Sequence, residues 1–259
     1  MASSALHAAI QKELVGLPDH PWAGNYYEGD GMGENIALAI APVAGYVFEW
    51  HGCMGLYDRN YGSVACENGK LRLSFTFKNE RKGFQGIAKE FIPVPWGQRT
   101  YLVPADDVIG FCNAVNGGME PRDDLHGRYL LREVDKKKDV SGLPVVPDEY
   151  RGYLLTKPIT AEIIGVGPST TRPSVCEWKF KDTTVLLNAG KDKGLRTGME
   201  MNPVKPGFVE PLVIRKVGDT SSEAVMTQIG EEDPEPQKGW SFSTRCWWIE
   251  KKHPTAKGK

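Results

Sequence analysis

Long hydrophobic runs are missing from this sequence. The longest candidates, "NIALAIAPVAGYVF" and "TTVLLNAG", are strand-sized, far short of the ~20 residues with which an α-helix crosses a bilayer, so no transmembrane segment is expected. The opening "MASSALHAAIQKELVGLPDHPW" has neither a basic start nor a long apolar stretch. It does not read as a signal peptide as it stands, and a mature sequence with an added methionine would look the same. Neither sign of charge is in excess: 32 Lys and Arg against 33 Asp and Glu leave a net charge of −1 and a pI near 6.5. That balance gives no reason to expect nucleic acid, which favours a basic face. The five cysteines, Cys53, Cys66, Cys112, Cys176 and Cys246, include no Cys-x-x-Cys pair. This argues against a zinc ribbon, leaves at least one cysteine outside any disulfide, and leaves the redox compartment open. A Gly-x-Ser-x-Gly elbow, a Walker loop, a His-Glu-x-x-His helix and a dinucleotide fingerprint are absent too. "GDGMGE", residues 29–34, is glycine-rich but sits between strands, without the helix start whose amides and dipole hold a phosphate.

What is present is punctuation. Twenty-nine glycines and eighteen prolines separate short alternating runs, the pattern of β-rich domains with tight turns. A length of 259 residues, with 40% hydrophobic and 25% charged, suits a soluble globular protein of two domains. Runs near 24–29, 35–41, 45–53, 56–66, 70–78, 84–92 and 98–103 read as strands. In "LRLSFTF", residues 71–77, Leu71, Leu73, Phe75 and Phe77 should face a core, with Arg72, Ser74 and Thr76 opposite. In "NIALAIA", residues 35–41, Ile36, Leu38 and Ile40 share one face and Ala37, Ala39 and Ala41 the other. Small side chains there leave room for a second layer of protein or for a ligand. "PADDVIGFCNAVNGG" changes period: Val108, Ile109, Cys112 and Val115 recur at helical spacing, Asp106 and Asp107 suit the first turn, and Asn116-Gly117 supplies a stop. With one more strand in "GRYLLREVD", this first region reads as a small antiparallel barrel or curved sheet with one packed helix.

The expected organisation is therefore a helical segment over 1–20, a barrel-like domain over 21–135 with its helix near 105–116, a linker over 136–149, a second β domain over 150–250 and a basic tail over 251–259. The linker "KKKDVSGLPVVPD" is charged and then proline-rich, so it reads as either a stiff extended connection or an ordered crossing. Beyond it, "PITAEIIGVG", "VCEWKFKDTTVLLNAG", "GMEMNPV", "GFVEPLVIRKVG", "SEAVMTQIG" and "GWSFSTRCWWI" read as strands, and "GEEDPEPQKG" as a solvated acidic connection. Within this half, "TVLLNAGKDKGLRTGMEM", residues 184–201, places Asn188, Gly190, Gly194, Leu195, Gly198 and Met199 in the order apolar strand, Asn-x-Gly turn, charged loop, Gly-Leu, Gly-Met. That pattern resembles the small SH3-like β-barrel modules of bacterial envelope proteins, such as flagellar assembly protein T and the rod-shape protein family, over roughly residues 158–249. The resemblance implies an SH3-like fold, an architectural role, and a barrel that Leu195 plugs and Val185, Leu187, Met199 and Met201 line. "WAGNYYEGDG" resembles the Gly-x-Trp entry of lipocalin-like barrels, with its residues in a different order.

Candidate chemistry gathers around "GYVFEWHGCMGLYDRN", residues 45–60. As a strand it sends Tyr46, Phe48 and Trp50 to one face and Glu49, His51 and Cys53 to the other, with alternate residues ~6.6–6.8 Å apart. A thiol beside an imidazole supports nucleophilic catalysis, with a carboxylate orienting the ring. The same three side chains are competent zinc ligands, with Asp58 or His126 as a fourth. Three polar residues in line are also what a solvated strand face produces. A second cluster joins Tyr26, Tyr27, Trp50, Tyr57 and Tyr61 with Asp30, Asp58, Arg59 and Asn60. Aromatics with polar neighbours grip sugars or flat ligands, or else form a barrel core. A third set, Arg99, Glu120, Arg122, Asp123, Asp124, His126 and Arg128, reads as a salt-bridged corner, and exposed pairs contribute little each.

The sequence thus predicts a mostly-β bacterial protein, a lipocalin-like barrel followed by a small SH3-like barrel. Its expected role is non-catalytic binding, without a cofactor. A small molecule or glycan would be held by Trp50, Tyr57, Tyr26, Arg59 and Asp58, and a protein partner docked through the second domain. The resemblance to envelope modules implies an extracytoplasmic setting, periplasmic or secreted, with a cytoplasmic one left open. The rival readings are a Cys/His-dependent hydrolase or metalloenzyme built on His51 and Cys53, and an envelope scaffold without a ligand.

Overall fold

The computed structural model describes residues 2–29, 33, 35–76, 86–119, 121, 129–173, 179–205, 209–229 and 233–246. The chain divides into two compact units, Met1–Val108 with Arg122–Pro147, and Ile109–Pro121 with Asp148–Lys259. It is mostly β, as the alternating runs predict.

In the first unit a helix, α1 (Ala2–Leu14), precedes β1 (Gly24–Gly29), β2 (Asn35–Ala41), β3 (Gly45–Gly52), β4 (Gly55–Gly62), β5 (Val64–Glu67), β6 (Lys70–Leu73), β7 (Glu90–Trp96), β8 (Arg99–Pro104) and β9 (Leu130–Arg132). All pair antiparallel in one nine-stranded sheet of order β4-β3-β2-β1-β9-β8-β7-β6-β5. Its two edge strands, β4 and β5, are consecutive in the chain with only Ser63 between them. The stretch after β6 then bonds back to that junction: Ser74 N–H donates to Ser63 O at 3.0 Å and Thr76 N–H to Asn60 Oδ1 at 3.1 Å. The edges therefore meet, which removes most of the unpaired backbone an open sheet would expose. Tyr26, Leu38, Tyr46, Phe48, Trp50, Leu71, Leu102 and Leu130 fill the interior.

Some boundaries move. The run at 56–66 breaks at Ser63 into two strands, because Gly62 lies against the Ser74 carbonyl. The strand expected over 70–78 ends at Leu73, where the chain leaves β7 to bond β4, and the one placed at 84–92 begins at Glu90. Phe77 lies outside the described residues. The alanine face of β2 is covered by another layer at Ala39 and Ala41 but not at Ala37: Ile10 of α1 is fully buried on Ala39, Ala41 and Val47.

The chain enters the barrel through a turn held by an imidazole. His20 Nδ1 accepts the backbone N–H groups of Trp22 at 3.3 Å and Ala23 at 2.9 Å, while Arg132 donates to His20 O at 2.9 Å and to Asp135 Oδ2 at 2.8 Å. Burial, then the Arg132 charge, lowers the His20 pKa against a smaller raising effect of Glu13. A depressed histidine contributes its full stability above its unfolded pKa of about 6.5 and loses it as pH falls through the lower folded value. Protonation at Nδ1 also removes both acceptor bonds. Urea unfolding of the wild type is therefore expected to weaken between about pH 7 and pH 5 more than that of His20→Asn, which keeps an acceptor but does not titrate. Parallel pH profiles would refute this.

The segment read as a linker, stiff or ordered, lies on the first unit as a strap up to Pro147. Val145 N–H donates to Pro95 O at 2.8 Å, Gln98 N–H to Asp139 O at 3.3 Å and Trp96 Nε1 to Gly142 O at 2.9 Å, with Val146 buried. Prolines stiffen the strap, and the β7–β8 hairpin supplies its partners.

The second unit is a closed barrel of β10 (Thr160–Pro173), β11 (Lys179–Leu187), β12 (Glu200–Lys205), β13 (Leu212–Val217), β14 (Ser222–Ile229) and β15 (Ser241–Ser243), in the order β10-β11-β14-β13-β12-β15. Val185, Leu187, Leu195, Met199 and Met201 are all in its core. Gly194 and Gly198 have φ of +90° and +88°, where a side chain is strained. Gly190 is needed for a different reason: a Cβ there would stand 2.5 Å from the carbonyl oxygens of Gly218 and Asp219.

The helix α2 (Val108–Gly117) lies at the expected place in the sequence but packs with the second unit, from Ile109 onward, rather than with the barrel that flanks it in the chain. Two asparagines explain this. Asn113 donates to Gly198 O at 3.0 Å and accepts from Glu200 N–H at 3.2 Å, and Asn116 donates to Tyr153 O at 2.8 Å and accepts from Leu155 N–H at 2.9 Å. Each amide satisfies a donor and an acceptor that burial would otherwise leave costly. Burial in this unit raises the Cys112 thiol pKa to about 12. None of the four described cysteines is in a disulfide, and Cys176 lies outside the described residues.

Candidate functional site

The polar row of β3 faces outward. Glu49 and His51 are each about half exposed and 3.3 Å apart on the outer surface of the sheet. Cys53 lies beyond the strand in the turn to β4, exposed, with Sγ 3.9 Å from Gly33 O. Among the described residues no group of three or more His, Cys, Asp or Glu side chains is placed to hold a metal ion. His126, Asp30 and the charged residues Glu120, Arg122, Asp123, Asp124 and Arg128 lie outside the described residues, and Arg99 of that set donates to Lys138 O. Arg59, the cross-strand neighbour of Glu49, is exposed as well.

The aromatic set sorts the other way. Tyr26 and Trp50, expected to grip a ligand, are 1% and 4% exposed and belong to the barrel core. Their rings alternate with polar residues because a strand with one buried face demands it. Asp58 is buried on the same inner face, where Tyr46 donates to Asn60 Oδ1 at 3.3 Å. Burial, with the Asp58 carboxylate adding to it, holds the Tyr46 hydroxyl protonated well above its usual range.

Tyr57 reaches the interior through a β-bulge. Trp50 pairs with Asp58 and His51 with Leu56, so Tyr57 is the extra residue of β4, and such an insertion re-aims its side chain. Its ring meets Trp50 edge to face at 5.5 Å and occupies the space over Gly52, where a Cβ would come within 2.0 Å of it. Gly52→Ala is therefore expected to expel the Tyr57 ring and cost about 1–3 kcal/mol. A denaturation curve with unchanged midpoint would contradict the packing.

Beside this aromatic pair the barrel is hollow. A pocket of about 340 Å³ is walled by Ile36, Phe48, Ile87, Phe91 and Leu130, with Asp106 and Asp107 also in its lining. Ile36 is the cross-strand partner of Trp50. Asp107 is fixed by the Tyr129 hydroxyl, which donates to Oδ2 at 2.8 Å. The pocket lies where β2 and β9 begin and β8 ends, at one mouth of the barrel, a usual place for a ligand. No family model, no curated protein and no solved structure matches the chain.

The pocket's walls were readable as core residues of alternating strands, and Asp106 and Asp107 as helix-start residues. Their convergence was not readable. It depends on β7, β8 and β9 returning their ends to the one mouth, which no local pattern encodes.

Proposed function

We propose that this protein is a non-catalytic binding protein whose first barrel holds a small molecule with an apolar body and whose second barrel is a docking module. The observation that carries the reading is the pocket of about 340 Å³ at the barrel mouth, of a size typical for small ligands, in which apolar walls of Ile36, Phe48, Ile87, Phe91 and Leu130 face the carboxylates of Asp106 and Asp107. The small molecule is favoured over a glycan at this place because the rings that would stack on a sugar, Tyr26 and Trp50, are packed inside. For the second unit, support comes from the likeness of residues 184–201 to SH3-like envelope modules, which also favours an extracytoplasmic setting.

The test uses aminoanthracene, a small neutral aromatic probe whose emission rises in apolar surroundings. Saturable binding at one site is expected, weakened about tenfold or more by Ala88→Trp, which fills the pocket from its half-buried rim. Absence of saturable binding, or binding that this variant leaves unchanged, would overturn the assignment.

A further inference from the structure

Ala37 stands in the middle of β2, yet its side chain is exposed. The reason is where α1 crosses the sheet: the helix buries Ile10 on Ala39, Ala41 and Val47 and leaves the row containing Ala37 uncovered. In that row Tyr27, Ala37, Glu49 and Arg59 are cross-strand neighbours, and the methyl of Ala37 is the low point. Ser3, His7 and Gln11, spaced four residues apart on one side of the helix, form the facing wall. The result is a cleft of about 450 Å³ on the outside of the sheet.

The cleft's chemistry is mixed. Gln11 and Asn25 are locked in a reciprocal amide pair, at 2.8 and 3.1 Å, which fixes their orientation. Glu49 and Glu133 contribute carboxylates, Ser3 and Ser4 hydroxyls and His7 a ring nitrogen, over a floor of Ala37, Ala39 and Val47. Neither lysine nor arginine is among the described residues that line it.

We propose that this cleft is a second binding site, for a neutral, hydroxyl-rich molecule of monosaccharide size. An anion would meet two carboxylates, while Arg59, beside Glu49 in the row, is not among the lining residues. A cation could satisfy Glu49 and Glu133 but would leave the serine hydroxyl donors unmatched, since an ammonium accepts nothing. A wholly apolar ligand would cover the Ser3 and Ser4 hydroxyls and the Glu133 carboxylate without offering them a partner. A sugar ring offers hydroxyls that both donate and accept, and a C–H face for the alanine floor. The cleft's volume falls in the range of small-ligand sites.

Saturation-transfer NMR on the full chain, with the methyl glycosides of glucose, galactose, mannose and N-acetylglucosamine as probes and with ethanolamine and methyl phosphate as comparators, tests the proposal. Transfer to at least one glycoside is expected, stronger than to either comparator and reduced about tenfold by Ala37→Phe, which fills the cleft at an exposed strand position. Glu49→Gln, an exposed change that removes a charged acceptor, is expected to weaken binding by about tenfold as well. Aminoanthracene binding at the barrel mouth should survive both variants, which separates this site from the other. No transfer to any glycoside, transfer that both variants leave intact, or preference for ethanolamine or methyl phosphate would overturn it.

Discussion

Phe242→Ala is expected to destabilise the second barrel by about 3–5 kcal/mol, the usual cost of emptying a buried aromatic site. Phe242 is fully buried at the centre of β15, a strand of three residues. It is the cross-strand partner of Ala161 in β10 and of Pro203 in β12, so this short strand is what closes the barrel, and its middle side chain is the one that fills it. Backbone bonds flank the strand, with Ile163 N–H donating to Trp240 O at 2.9 Å and Thr244 N–H to Ile159 O at 3.0 Å, and the ring adds the packing between them. Urea unfolding followed by far-ultraviolet circular dichroism should show an early transition for the second unit. Aminoanthracene binding to the first barrel should persist through it. A destabilisation below about 1 kcal/mol would mean that β15 is held by something other than Phe242.

Gly62→Val should have an effect of similar size on the first barrel. A Cβ at Gly62 would stand 2.0 Å from the Ser74 carbonyl oxygen, and one at Gly45 would stand 2.1 Å from the Gly62 oxygen. These neighbours are backbone, with no rotamer to yield, so the two edges of the sheet would have to part. The expected cost is about 3 kcal/mol or more, accompanied by faster amide exchange at Ser74 and Thr76, whose bonds close the sheet. Gly69→Ala is the comparison. Gly69 has a φ of +77° but open space around it, so its replacement should cost only about 1 kcal/mol. Equal effects of the two substitutions would show that backbone conformation, rather than the meeting of the edges, sets the requirement for glycine.

Period-two alternation was enough to place Tyr46, Phe48 and Trp50 inside and Glu49 and His51 outside, because burying one face of a strand constrains every second residue. Alternation along β4 would put Tyr57 on the face opposite Asp58, and a bulge changes the phase there. That insertion is defined only by how β4 pairs with β3, and β4 alone does not announce it. Helix α2 was legible from Val108, Ile109, Cys112 and Val115, yet its allegiance rested on Asn113 and Asn116, whose partners Gly198, Glu200, Tyr153 and Leu155 are distant in the chain. The outward cleft was half legible: the alanines of β2 announced that room existed, and the crossing point of α1 decided which alanine kept it.

The path of the chain, which leaves the first unit at Val108, returns at Arg122 and leaves again after Pro147, imposes an order on synthesis. As the ribosome delivers the protein from its N-terminus, the first barrel has all of its strands and its strap once Pro147 has emerged. Helix α2 is made before that point but finds the acceptors of its asparagines only with Tyr153 and Gly198, and its barrel closes only with Phe242. Throughout that interval α2 is carried on the β8–β9 connection of a barrel already able to close, an apolar segment whose partners have yet to be synthesised.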